Sequence, residues 1–240
     1  MAVFTEESAR ANVRNLDGRR VFYLAEGNHL TPSAREWLRK ERIEVLPPPV
    51  EASNAYRTLR GATLSEKPED MTHLRSGVLV EKEHPRIRFR GVVDTLEAQI
   101  LLSGQMAFKE GKREIMTCLR QLLDTARQII RCEVLEENME LPVLGGLTEE
   151  ELKKQSHHPE RYFDQPHFMP DFEDSPLLLQ LNVLRTQIRE TELLACGAFR
   201  DGDGNLVRKD LILALNRMSS FVWILMIRLR KEERRGGQIG

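Results

Sequence analysis

Charge of one sign is missing from this 240-residue chain: 36 Lys and Arg stand against 37 Asp and Glu, for a formal net charge of -1. No bulk basic field argues for nucleic acid, although a neutral total leaves room for a basic pocket. Cysteine is scarce. Cys118, Cys132 and Cys196 lie far apart in helix-like surroundings and no C-x-x-C pair occurs, so neither a disulfide framework nor a thiolate metal centre is indicated. They read as core thiols. Long apolar runs are also lacking. The most apolar stretch, Phe221 to Ile227, is too short to span a bilayer and is followed by Arg228 and Arg230. The opening Met-Ala-Val-Phe-Thr-Glu-Glu does not have the basic-then-apolar order of a signal peptide. These absences predict a soluble, cytoplasmic protein that engages neither nucleic acid nor membrane.

What is present is a foldable chain, with 40% hydrophobic and 30% charged residues. Residues 1–50 read as a small α/β unit. A strand is expected over Val21 to Leu24. A helix follows through Arg42, with Thr31 as N-cap and Pro32 at the first helical position. A second strand is expected at Ile43 to Val45, stopped by Pro47-Pro48-Pro49. Residues 51–83 show little periodicity and read as a linker or irregular arm, with Met71 to Leu74 its one ordered-looking piece.

From His84 to about residue 235 the pattern is helical. Phe89, Val93, Leu96 and Ile100 form one apolar seam. Ile115, Leu119, Leu122, Ala126 and Ile129 form a second, and Leu177, Leu181, Leu184 and Ile188 a third. The fourth alternates by four and three: Leu211, Leu215, Met218, Val222, Leu225, Leu229. Helices with one seam each pack as a bundle, and about five helices are expected, making the protein mainly α. Ser175-Pro176 precedes the third long helix, Asp210 is the expected N-cap of the fourth, Thr148-Glu149-Glu150-Glu151 fits a capping box, and Gly145-Gly146 and Gly202 to Asn205 are turns.

Polar residues repeat at helix spacing beside those seams. Arg90, Asp94 and Glu97 share one face, Arg185, Arg189 and Glu192 another, and Asn216, Ser219, Ser220 and Trp223 a third. Solvated faces laced by ion pairs are one reading. Against it stand Gly91, which costs about 1 kcal/mol inside a helix unless something approaches closely, and Asn216, which follows the apolar run Leu211 to Leu215. Two arginines, an aspartate and an asparagine suit a phosphate-bearing substrate, because guanidinium forks bind phosphate oxygens in pairs. Residues alone lead to a helical bundle with a polyphosphate site as one of two readings.

The string HPRIRFRGVVDTLEA, His84 to Ala98, resembles the start of the catalytic bundle in ethanolamine-utilisation cobalamin adenosyltransferases. Further strings agree in order. They are Leu30 to Glu36, Met71 to Leu74, Gly146 to Thr148 leading into Ser156 to Pro159, Arg161 to Asp164, Leu184 to Glu192, and Ala214 to Ser220. The propanediol-type adenosyltransferases, more distantly similar, share the pattern of Asp94, Leu96 and Ala98 and that of Arg185, Arg189 and Leu215 to Ser219.

The resemblance implies a reaction between ATP, accompanied by Mg²⁺, and cob(I)alamin, yielding adenosylcobalamin and released phosphates. It implies an ion pair between Asp94 and Arg185 at a subunit interface, with Arg189 and Asn216 lining the ATP or corrinoid side. Asp94, Arg185 and Arg189 are thus the expected catalytic residues. Arg86 and Arg90, the nearest basic cluster before the first long helix, are candidates to hold the triphosphate together with Arg189 and Asn216. Phe168, and more weakly Phe163, are candidates for an apolar wall against the corrin ring, beside the alternative of ordinary core or loop aromatics. Homo-oligomers with sites between subunits are implied as well, and partners from an ethanolamine microcompartment or a corrinoid reductase fit the same setting.

The chain departs from its relatives in two places. Some members carry a His and clustered Cys that bind a transition metal, whereas Glu51 to Asp70 holds neither residue type, so no metal site of that kind is expected. The Gly, Thr and Asp-rich phosphate loop of the propanediol type is not found in residues 1–20, and Ser220 stands where that type has Asp. Two other readings compete: a non-catalytic bundle that binds a corrinoid or docks to a microcompartment, and a structural bundle whose polar faces are subunit contacts.

Overall fold

A computed structural model describes residues 3–16, 19–24, 27–47 and 56–236, and the chain divides into two compact units. Pro48, Pro49 and residues 50–55 of the expected linker lie outside the described residues.

The first unit comprises residues up to Glu69 together with Gly77–Leu79. It contains β1 (Val3–Phe4), α1 (Glu6–Ala11), β2 (Arg14–Leu16), β3 (Arg19–Tyr23), β4 (His29–Leu30), α2 (Pro32–Lys40) and β5 (Glu44–Leu46). Thr31 caps α2 as expected, its hydroxyl accepting the Ala34 N–H, and Pro32 opens the helix where it needs no N–H. β3 pairs in antiparallel fashion with β2 and in parallel with β5, so α2 lies on the crossover between parallel strands. Ala9, Phe22, Ala34, Leu38 and Ile43 form its core, with Phe4 edge-on to Phe22 at 5.4 Å.

The expected irregular arm is instead a run of short strands: β6 (Tyr56–Thr58), β7 (Thr63–Leu64), β8 (Met71–Arg75) and β9 (Val78–Glu81). β6 pairs with β7 in antiparallel fashion and with β9 in parallel. Strands of two to five residues are too short to show alternation in sequence, which is why periodicity did not reveal them.

The second unit holds β8 and the helical bundle: α3 (Pro85–Lys109), α4 (Arg113–Val134), α5 (Glu149–His157), α6 (Pro159–Phe163), α7 (Pro176–Ala198) and α8 (Lys209–Gly236). Every residue of the four predicted seams is buried and belongs to one core. Ser175 caps α7, and Thr148 with Glu151 forms a complete capping box on α5. Asp210 is a correction. It stands inside the first turn of α8, where its carboxylate takes the Met139 N–H at 2.9 Å and the Arg208 guanidinium at 2.8 Å. Within one chain a Cβ at Gly91 would meet nothing within 4 Å, so the chain itself makes no close approach there. The glycine that a neighbour does require is Gly145, at φ +59, where a Cβ would lie 2.6 Å from the Phe221 ring. α8 as a whole has the length and apolar content of a membrane-crossing helix, more than Phe221 to Ile227 alone suggests. Phe221, Val222, Ile224, Leu225, Met226 and Ile227 are nevertheless buried inside the protein.

Candidate active site

α7 and α8 pack along their lengths, and their polar faces meet, extended beyond the predicted residues by Asn182 and Arg230. On α7 the face runs Asn182, Arg185, Arg189, Glu192 and on α8 it runs Asn216, Ser219, Ser220, Trp223, Arg230. At one end Asn216 Nδ2 donates to Glu192 Oε1 at 2.9 Å. This answers why an asparagine follows so apolar a run: it ties the two helices together through their polar edge. Ser219 and Ser220 hydroxyls both return to the Asn216 carbonyl, which turns them along the helix.

Further along, Arg185 donates Nη2 to Asn182 Oδ1 at 3.2 Å and lies 5.5 Å over the Trp223 ring. Its Nε is buried without a hydrogen-bond partner. Burial, then the nearby charge of Arg189, pulls the Arg185 pKa below its ordinary value. Arg189 is exposed and has no carboxylate partner among the described residues. Arg217, whose Nη2 bonds to Asn216 Oδ1, leaves Nε and Nη1 buried and unpartnered. Three guanidinium groups on or beside one face therefore lack an acidic partner, and buried cationic donors left so are unfavourable until an anion supplies acceptors.

Arg86 and Arg90, the other residues expected at the triphosphate, are engaged elsewhere within the chain. Both are held by Glu133, a fully buried carboxylate near the end of α4: Oε1 takes Arg86 Nε and Oε2 takes Arg90 Nε, each at 2.5 Å. The remaining donors are engaged as well. Arg86 reaches the Glu133 carbonyl and Glu136, and Arg90 reaches the carbonyls of His73 and Leu74 in β8. Burial works against ionisation of Glu136, but Arg86 and Arg75 outweigh it and hold its carboxyl below the usual range. Glu133 was legible in principle, because the α4 seam steps from Ile129 by four onto a glutamate. A charge at a seam position signals a buried, paired group.

Asp94 is exposed on α3 and its carboxylate has no ion pair among the described residues, so Asp94 and Arg185 are not joined within one chain. Phe168 is half-buried. It stacks on Trp223 with ring centroids 4.9 Å apart, and Arg230 lies 4.0 Å over it. Phe163 lies beneath Arg228, at 5.4 Å, and its carbonyl accepts from Lys231. Both aromatics pack against the bundle core. Among the described residues no three His, Cys, Asp or Glu side chains gather as a metal-ligand set.

The comparisons with known proteins decide the family. The family model of cobalamin adenosyltransferases matches residues 62–229. This chain belongs to that family. The corrinoid adenosyltransferase EutT of Escherichia coli K12 is 32% identical over 93% of this chain and 90% of its own length. The protein of the same name from Salmonella typhimurium LT2 is 31% identical over the same shares. No solved structure matches the chain. The family match makes the chain a transferase, and the matched segment takes in the whole of α7 and α8 as far as Leu229, hence the polar face from Asn182 to Glu192 and from Asn216 to Trp223.

Proposed function

We propose that the chain transfers the adenosyl group of ATP to the reduced cobalt of a corrinoid, making adenosylcobalamin for ethanolamine utilisation. The observation that carries this reading is the α7/α8 face, with Arg185, Arg189 and Arg217 free of carboxylate partners beside Asn216. An anionic, phosphate-bearing substrate supplies the acceptors these donors lack. In the reaction the Co(I) electron pair attacks the ribose 5′ carbon. The Co–C bond forms as the C5′–O bond breaks, and that bonding pair leaves on the phosphate oxygen. No protein nucleophile is needed. The protein's work is to hold the reactants in line and to stabilise charge growing on the leaving phosphates, the role assigned to Arg185 and Arg189. Trp223 and Phe168 give the same face an aromatic side suited to an apolar corrin surface.

The site is completed by a second copy in this reading. Gly91, Asp94, Ala98, Leu101, Gln105 and Phe108 are all exposed and repeat by three and four along α3, a stripe of coiled-coil spacing in which Asp94 and Gln105 are the polar members. Leu101, Gln105 and Phe108 also border a groove of about 350 Å³ between α3 and α4. A protein surface docked there would bring unpaired Asp94 to the unpaired Arg185 of a second copy. A cytoplasmic setting, with microcompartment proteins or a corrinoid reductase as neighbours, accords with ethanolamine utilisation.

The test is anaerobic mixing of the purified chain with ATP, Mg²⁺ and chemically reduced cob(I)alamin, following the visible spectrum, with EDTA-treated and metal-supplemented samples in parallel. Decay of the Co(I) band with growth of an alkylcobalamin spectrum is the expected result. A corrinoid spectral shift without product under every metal condition would instead make the chain a corrinoid-binding protein.

A further inference from the structure

Arg185 is held on α7 by one neutral hydrogen bond, to Asn182 at 3.2 Å, and by no carboxylate. Its other restraint is an aromatic face, the Trp223 ring at 5.5 Å. That indole is itself clamped. His167 is stacked on it, 5.7 Å away with the ring planes nearly parallel at 9°, and Phe168 stacks on it at 4.9 Å. Arg230 lies over Phe168 at 4.0 Å, and its Nε is 3.4 Å from Asp174 Oδ1. A guanidinium lying over a ring is fixed in position while the edge that carries its N–H donors stays available to an anion. A carboxylate partner would fix it equally well but would occupy those donors.

We propose that Trp223 is the positioning residue for Arg185, and that through His167 and Phe168 it ties the segment between α6 and α7 to the same site. This rests on the adenosyl-transfer reading for its kinetic consequence, while the packing itself is independent of it. Trp223 orients Arg185 for the phosphate charge that develops as the C5′–O bond breaks, so its loss acts on kcat more than on the KM for corrinoid.

Trp223→Leu removes the π face and keeps apolar bulk, whereas Trp223→Phe keeps a smaller face. Trp223→Leu is expected to lower kcat about tenfold, the size of a desolvated cation–π contact. Trp223→Phe should recover most of that loss. The double variant Trp223→Leu/Arg185→Ala should be no slower than Arg185→Ala alone, since the indole acts only through the arginine. Losses that multiply, or full turnover by a folded Trp223→Leu, would overturn the proposal. A second arm does not depend on turnover. The chain has two tryptophans, Trp37 and Trp223, so Trp37→Phe leaves Trp223 as the sole indole, excited selectively at the red edge where the three tyrosines do not absorb. Its emission should change on adding Mg-ATP and should not respond in the Arg185→Ala background. Emission indifferent to Mg-ATP in both would overturn the proposal. Absence of turnover by the unaltered protein would count against adenosyl transfer and leave the stack to be judged by fluorescence alone.

Discussion

Replacing Glu133 by Gln tests the assignment of the basic residues most directly. The carboxylate is fully buried and the two arginine side chains on it are each 18% exposed. At an effective dielectric near 20, each close pair contributes about 4 kcal/mol of Coulomb attraction. Desolvation of the carboxylate and repulsion between the two guanidinium groups offset much of the sum. Removing the charge leaves the arginines buried and uncompensated, and loss of one member of such a group costs about 3–5 kcal/mol. An amide also fails geometrically. Its oxygen can serve one guanidinium, but its NH₂ turns a donor toward the other. At about 2–4 °C per kcal/mol for a unit of this size, Tm should fall by about 10 °C, read by circular dichroism at 222 nm. The KM for ATP, measured well below that Tm, should stay within about threefold of the unaltered protein, a change under 1 kcal/mol. An unchanged Tm would refute the clamp. A KM raised tenfold or more with the fold intact would return Arg86 and Arg90 to the nucleotide site.

Gly145→Ala forces a Cβ to 2.6 Å from the fully buried Phe221 ring at a left-handed backbone angle, and should destabilise the bundle by about 1–3 kcal/mol in urea unfolding. His84 caps α3, its Nδ1 accepting the Arg86 N–H, and burial followed by the charges of Arg86 and Arg90 lowers its pKa below 6.5. The unfolded chain therefore binds more protons between the lowered value and 6.5. The His84 contribution to stability is complete above 6.5 and diminishes as pH falls through that window. His84→Asn, which caps without titrating, should flatten this step in Tm against pH. Asp94→Ala should leave the thermal stability of the isolated chain within about 0.5 kcal/mol, because the residue is exposed and unpaired. It should nevertheless reduce turnover severely, and normal turnover would refute the role given to Asp94.

The bundle was legible because long helices declare themselves through period. All four seams are buried, and the caps at Thr31, Thr148 and Ser175 formed where short polar residues preceded helix signals. Asp210 shows the limit of that logic: an acidic residue suits both the cap and the first turn, and here the Met139 N–H and Arg208 draw it into the turn. Of the strands between Tyr56 and Glu81 only the stretch Met71 to Leu74 stood out in sequence, because segments of two to five residues are defined by their pairing and not by local pattern. Half of the site was legible in the same way. Helix spacing placed Arg185, Arg189 and Glu192 on one face and Asn216 to Trp223 on another, but spacing on one helix cannot say which neighbour that face meets.

What separates the two arginine groups is compensation rather than proximity to a signature. Arg86 and Arg90 lie in a string that resembles known relatives, yet they are neutralised by Glu133 and their donors are used. An arginine in that condition has little left to offer a phosphate: a nucleotide would have to displace a buried carboxylate. Arg185 and Arg217 carry the opposite signature, buried N–H groups without acceptors, and Arg189 adds a third charge without an acid. A fold leaves buried donors unsatisfied at a cost of about 1–3 kcal/mol each. Such a cost concentrated on one face, in a family that acts on an anionic nucleotide, marks the place where binding returns the free energy that folding left unrecovered. By this criterion the proposed triphosphate site falls with α7 and α8, and the arginines at the start of α3 with the architecture that supports them.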